Sequence, residues 1–135
     1  MTMSAYHLQI VTPDHMVYDG QAEKLIVRTI HGDVCILPHH IDYATPLGIG
    51  EARVTDGEGK ERIAACNGGM LSVSGNEVRL IAVTFEWQDE IDLERARNAE
   101  AAAQQQLQSL AREDRDFALA EARLKRAVTR IRVKG

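Results

Sequence analysis

With 135 residues, 44% of them hydrophobic and 27% charged, the chain has the make-up of one globular domain or of a small domain with an appendage, not of a disordered or collagen-like polymer. Its formal charge of −4 leaves no cationic excess for general nucleic-acid binding, and no apolar run approaches the roughly 20 residues needed to span a bilayer. Aromatics make up only 4%, so the core has to be aliphatic.

The residues that break regular structure are unevenly spread. All three prolines and every glycine but Gly135 fall within the first 75 residues, and neither type occurs from Ile91 to Lys134. Tight turns need these residues and helix interiors exclude them, so the chain divides into a turn-rich β body and a helical tail. Tyr6, Leu8 and Ile10 alternate with His7 and Gln9, which predicts a half-buried first strand ended by Pro13-Asp14. Met16–Tyr18 leads to Gly20, and Leu25–Thr29 forms the next strand before a turn at His31-Gly32-Asp33. Val34–Leu37 follows, closed by Pro38. Glu51–Thr55 and Lys60–Cys66 flank Asp56-Gly57-Glu58-Gly59, while Met70–Val73 and Glu77–Thr84 flank Ser74-Gly75-Asn76. Both are hairpin signals. Gly68-Gly69 reads as a bulge or a sharp bend between two sheets. The spacing suits about nine or ten short strands closing into two packed sheets.

The tail opens on Asp89-Glu90-Ile91-Asp92, acidic residues that complement the positive end of a helix dipole. Leu93, Ala96, Ala99, Ala103, Leu107 and Leu110 recur at three- and four-residue steps, an apolar stripe along one helix. Arg112–Asp116 is a polar break of hairpin length. A second helix is predicted from Phe117 to Val133, with Phe117, Ala120, Leu124, Ala127, Val128 and Ile131 inward. Residues 100–106 are almost wholly alanine and glutamine, strong helix formers but poor core fillers. Helices with so thin a stripe need a surface to lie on, either the β body or another protein. A pair that chooses between two docking sites is a candidate switch.

Cys35 and Cys66 sit in apolar, strand-like contexts, which predicts buried reduced thiols. Nothing calls for a disulfide, and no signal peptide is expected before the first strand. Gly48-Ile49-Gly50 lacks the remaining glycine and the lysine of a phosphate loop. His39-His40 has no nearby Cys or Glu to complete a metal set, and Ser72 and Ser74 lack His and Asp partners. The chain reads as a non-enzyme without a metal site. One constellation remains: Asp92 and Arg95 are three apart on the first helix, and Arg126 and Arg130 are four apart on the second. An antiparallel fold-back brings them together. Three converging guanidiniums repel unless an anion sits between them, and their forked donors suit phosphate. Two readings stay open, a solvated face of ion pairs or a nucleotide pocket.

In order along the chain, Tyr6–Pro13, Gly32–His40, Asn67–Val73, Ile91–Ala96 and Leu124–Ala127 with Arg130 resemble the epsilon subunit of bacterial F-type ATP synthases, end to end. The resemblance implies a β + α fold, with an N-terminal ten-stranded β-sandwich over residues 1–86 and a C-terminal two-helix antiparallel hairpin over residues 87–135. It implies a non-catalytic central-stalk (rotor) subunit at the cytoplasmic face of the bacterial cell membrane, peripheral and touching the membrane only through its complex. The implied partners are the gamma subunit and the ring of c subunits, with the alpha/beta catalytic head added when the helices extend and inhibit ATP hydrolysis. No cofactor is required. Some relatives bind ATP as a regulatory ligand in the folded hairpin, through an Ile-Asp-x-x-Arg-Ala motif. By position this points to Glu86, Ile91, Asp92, Arg95, Ala96, Arg126 and Arg130, and to an ATP-sensing module as the alternative function. The loops carrying His31, Asp33, His39 and His40 are implied to face the ring. Ala102 and Leu119 stand where ATP-binding relatives can carry arginine, and Cys35 and His39 stand where glycine is usual.

Overall fold

The computed structural model describes residues 4–135. Six strands come first: β1 (Tyr6–Val11), β2 (Met16–Thr29), β3 (Gly32–Ile36), β4 (Tyr43–Asp56), β5 (Glu61–Ser74) and β6 (Glu77–Trp87). They hydrogen-bond in the order β1-β6-β5-β4-β2-β3, and β1 also pairs with β2. Five strands therefore close into a barrel, and β3 lies outside on the edge of β2. Every pairing is antiparallel except β1 with β6, so β1 is the strand that shuts the barrel.

The ten strands expected are six continuous ones, and the side-chain parity explains the difference. In β5 the core residues are Ala64 and Cys66, then Leu71 and Val73. In β6 they are Val78, Leu80 and Ala82, then Phe85 and Trp87; in β4, Leu47, then Ala52 and Val54; in β2, Ala22, then Leu25 and Val27. Each of these long strands changes its inward parity once, turning from one wall of the barrel to the next within a single run. In β2, β4 and β5 glycines near these bends read in the sequence as strand ends, whereas β6 bends without one. The bend in β5 demands glycine: Gly69 has φ 123°, and a Cβ there would lie 1.8 Å from the Ile81 carbonyl oxygen.

Both predicted hairpins form. Asp56 accepts from the backbone N–H of Lys60 (3.0 Å) and of Glu58 (2.8 Å), closing the β4–β5 turn, and those donors hold its carboxyl below the usual carboxylate range. The β5–β6 turn is Gly75-Asn76. Tyr6, Leu8 and Ile10 are sealed in the core, as the alternation predicts, and the Tyr6 hydroxyl donates to the Ile36 carbonyl (2.8 Å), tying β1 to β3. Cys66 is buried, and desolvation pushes its thiol up to about 12. Cys35, expected to be buried, is exposed: β3 is an edge strand, and Asp33 and Cys35 lie on its outward side. Both cysteines are free.

A 3-10 turn at Gln88–Glu90 leads into α1 (Leu93–Ser109), and α2 (Arg115–Lys134) follows. Asp92 caps α1 by accepting from the Arg95 N–H (3.1 Å), and Asp114 caps α2 by accepting from the Asp116 N–H (2.9 Å). That second cap starts the helix ahead of Phe117, the start read from the apolar stripe. The helices fold onto each other and bury small residues, among them Ala96, Ala103, Ala120 and Ala127. Ala99, expected inward, is exposed; Thr129 and Val133, both outside the expected stripe, are buried. The reason is that α2 lies on the barrel against β4 and β5. Val133 packs with Ala65 and Ile91, and Ile63 adjoins them. Beside this seat, Gln88 Nε2 donates to the Val133 carbonyl (2.8 Å) and Lys134 Nζ donates to the Gln88 carbonyl (3.1 Å).

Candidate functional site: a cavity between barrel and hairpin

The site arises where β1 and β6 run side by side. Val11 pairs with Ile81, so the loop after β1 draws level with the end of β6, and the first turn of α1 closes over both. Between them lies a half-open pocket of about 430 Å³. Thr12, Asp14, His15 and residues 83–86 line its barrel side; Glu90, Asp92, Arg95, Ala96, Ala99 and Arg130 line the other.

Of the seven residues singled out for ATP, five meet here: Glu86, Asp92, Arg95, Ala96 and Arg130. Ile91 does not. It is buried in the seat with Ala65 and Val133, and its role is to anchor the chain between the 3-10 turn and α1. Arg126 is not among the lining residues either, so two guanidiniums converge rather than three. One of them is already engaged, since Arg130 Nε donates to Glu86 Oε1 and ties α2 to β6. Asp92 meets Arg95 through the backbone N–H of the helix cap. Glu90 accepts from the Trp87 N–H (3.0 Å). The cavity thus offers guanidinium donors, carboxylate acceptors and an apolar wall of Val83, Phe85, Ala96 and Ala99. That donor set suits a molecule with both an anionic and an amine-bearing end, and with four carboxylates to two guanidiniums it suits an anion screened by a divalent cation better than a bare one. Sequence reasoning misses the Thr12–His15 side altogether, because only the parallel β1–β6 pairing brings it to the hairpin.

The loop residues fall into two groups separated by β3. His31 lies at the β2–β3 turn, where its N–H donates to Thr29 Oγ1 (3.0 Å), and Asp33 is held by Arg28 Nε (2.6 Å). His39 and His40 lie in the loop after β3, and His40 Nδ1 contacts the Ile41 carbonyl (2.7 Å). Among the described residues no hydrogen bond or ion pair joins the two groups. His39 has φ 66°, the left-handed region that favours glycine. Also among the described residues, no cluster of His, Cys, Asp and Glu is suited to a metal ion, and no helix is long and apolar enough to cross a membrane.

Two family descriptions match in succession: the β-sandwich domain of the ATP synthase delta/epsilon chain over residues 5–88, and the long α-helix domain of the same chain over residues 89–135. The chain is 38% identical over 133 residues to the ATP synthase epsilon chain of Halalkalibacterium halodurans, spanning 98% of this chain and 99% of that one. It is 42% identical over 133 residues to the ATP synthase epsilon chain of Levilactobacillus brevis, spanning 96% and 94%. In fold it is similar to a chain of the Euglena gracilis mitochondrial ATP synthase, at TM-score 0.76 and 23% identity, over 87% of this chain and 74% of that one. A chain of the Tetrahymena thermophila mitochondrial ATP synthase central stalk and c-ring is similar at TM-score 0.71 and 13% identity, over the full length of both.

Proposed function

The chain belongs to the ATP synthase delta/epsilon chain family, and from that membership we propose that it is the epsilon subunit in the central stalk of a bacterial F-type ATP synthase. On this reading it is a non-catalytic rotor part that helps couple ion flow to ATP synthesis. The observation that carries the reading is the continuous family match over residues 5–135 on a barrel-plus-hairpin fold. Its partners are the gamma subunit and the c-ring, and it lies at the cytoplasmic face of the membrane, held there by the ring. Support for a seat on the ring comes from Ile30, Leu37 and Ile41, exposed to 59%, 52% and 77% in the same turns as His31, Asp33, His39 and His40. Exposed apolar residues grouped with polar neighbours are the mark of a contact surface.

The hairpin is the inhibitory element. It rests on the barrel through a small seat, and when released it extends to the alpha/beta head and slows ATP hydrolysis. The test is ATPase activity of the complex carrying the chain truncated after Gln88. Hydrolysis is expected to rise while the gamma subunit still co-purifies with the barrel. An unchanged rate overturns the inhibitory reading, and loss of co-purification overturns the seat on the stalk.

A second reading, that the folded hairpin binds ATP as a regulatory ligand, is favoured by the gathering of Glu86, Asp92, Arg95, Ala96 and Arg130 around a cavity within the usual ligand-site range of about 300–1,000 Å³. Arg95 and Arg130 would hold phosphate oxygens, and the carboxylates would accept from the amine of the base. Calorimetry with Mg-ATP on the whole chain tests it: heat that Arg95→Ala and Arg130→Ala both diminish supports the site, and no heat at millimolar nucleotide removes it.

A further inference from the structure

The barrel is shut by β1, which has an antiparallel partner on one side and a parallel one on the other, and His7 stands at that seam. Both ring nitrogens of His7 are engaged. Nε2 lies 2.5 Å from Asp19 Oδ1 on β2, and Nδ1 lies 2.7 Å from Glu77 Oε2 on β6. A neutral imidazole carries a single N–H and can donate to only one of these carboxylates; its other nitrogen then turns a lone pair towards an anionic oxygen. Only the imidazolium satisfies both contacts. We propose that His7 is a proton-operated pin of the barrel seam, which holds β1 to β2 and to β6 when protonated and must release one of them when it loses its proton.

Among the described residues, the charged groups around the ring are few. Asp19 faces it from β2 and Glu77 from β6, and Arg79 lies two residues along β6, where its guanidinium donates to Gln9 Oε1 (3.0 Å). Gln21, opposite His7 on β2, is neutral, and β1 contributes no other charged side chain. The Asp19 and then the Glu77 hydrogen bonds raise the His7 pKa above its ordinary 6.5. The sign follows. The pin is fully in place below 6.5 and is lost as the pH rises through the raised value. A parallel pair is the less stable kind, so β1 is expected to part from β6 first. The inference does not depend on the rotor reading, because it concerns only how the barrel closes.

NMR titration of the full chain tests it, with ring-nitrogen shifts reporting the protonation state and amide exchange of β1 reporting the seam. The expected result is a His7 midpoint above 6.5, with both ring nitrogens protonated below it. Beyond the midpoint, exchange in β1, corrected for intrinsic rate, is expected to quicken by about tenfold for each pH unit by which the midpoint exceeds 6.5. The double variant Asp19→Asn with Glu77→Gln should bring the midpoint back to about 6.5 and remove the pH dependence of β1. A wild-type midpoint at or below 6.5 overturns the proposal. So does the same pH dependence of β1 exchange in the double variant.

Discussion

Replacing Val133 with alanine tests how the hairpin is held. Val133 is 2% exposed and packs with Ala65 and Ile91. The change deletes two methyl groups. At about 0.8 kcal/mol each, the lost burial comes to about 1.6 kcal/mol, or about a fifteenfold shift towards the undocked hairpin, before any cavity penalty. The hydrogen bond from Gln88 Nε2 to the Val133 carbonyl uses the main chain and survives, so the substitution isolates packing. The assay is native-state hydrogen exchange read separately for α2 and for β4 and β5. Amides of α2 are expected to exchange about ten- to thirtyfold faster while the strands keep their protection. Trp87, the one tryptophan in the chain and the neighbour of Gln88, gives a second readout by fluorescence. Equal acceleration in α2 and the strands would mean that hairpin and barrel open as one unit. No acceleration in α2 would mean that the seat carries no weight. Either result refutes the reasoning.

Gly69→Ala should prevent closure of the barrel, because its Cβ would sit 1.8 Å from a carbonyl oxygen on β6, whereas Gly75→Ala, with φ 61° and open space around it, should cost only about 1–2 kcal/mol; urea melts of the two variants make the comparison. Thiol alkylation of the native chain at pH 8 should modify Cys35 alone, with Cys66 reacting only after denaturation, as peptide mass mapping would reveal. Asp56 has a lowered pKa, so its contribution to stability is complete above the ordinary 3.8 and disappears as the pH falls through the depressed value. Asp56→Asn should therefore lower the urea midpoint at neutral pH and make no difference in strong acid.

What could be read from the sequence was local. The alternation of Tyr6, Leu8 and Ile10, the two turns at Asp56–Gly59 and Gly75-Asn76, and the capped start of α1 each depend on residues within a few positions of one another. Strand continuity did not show, because a glycine that bends a strand and one that ends it are alike without the partner strand. Gly68-Gly69 reads as a bend or a bulge, and only the register from Asn67–Thr84 through Gly69–Ala82 proves that β5 continues across it. Cys35 looked buried because Val34 and Ile36 flank it; its exposure follows from β3 being an edge strand, a property of the whole sheet. The candidate site divides in the same way. Asp92, Arg95 and Ala96 share a helix turn and are legible together, while Thr12, Asp14 and His15 reach the cavity only through a pairing between the first and last strands.

The hairpin's hold on the barrel is concentrated at one end. Arg130 meets Glu86, Val133 fills the seat beside Ala65 and Ile91, and Lys134 reaches the Gln88 carbonyl, all within the last turns of α2 and the segment that leaves β6. The interior of the hairpin is mostly alanine, so α1 is held mainly by its partner helix. Burial of Val133 and Ile91 is worth about 1.5–3 kcal/mol each, and the partly buried ion pair of Arg130 with Glu86 adds about 1 kcal/mol. Inverting a docked-to-released ratio from 99:1 takes about 5.5 kcal/mol of differential binding. A partner that takes up the same apolar residues on an interface of ordinary size can supply that much. The barrel has its own aliphatic core and closed strand order, so on the proposed reading release of the hairpin leaves the barrel's contacts with its partners in place.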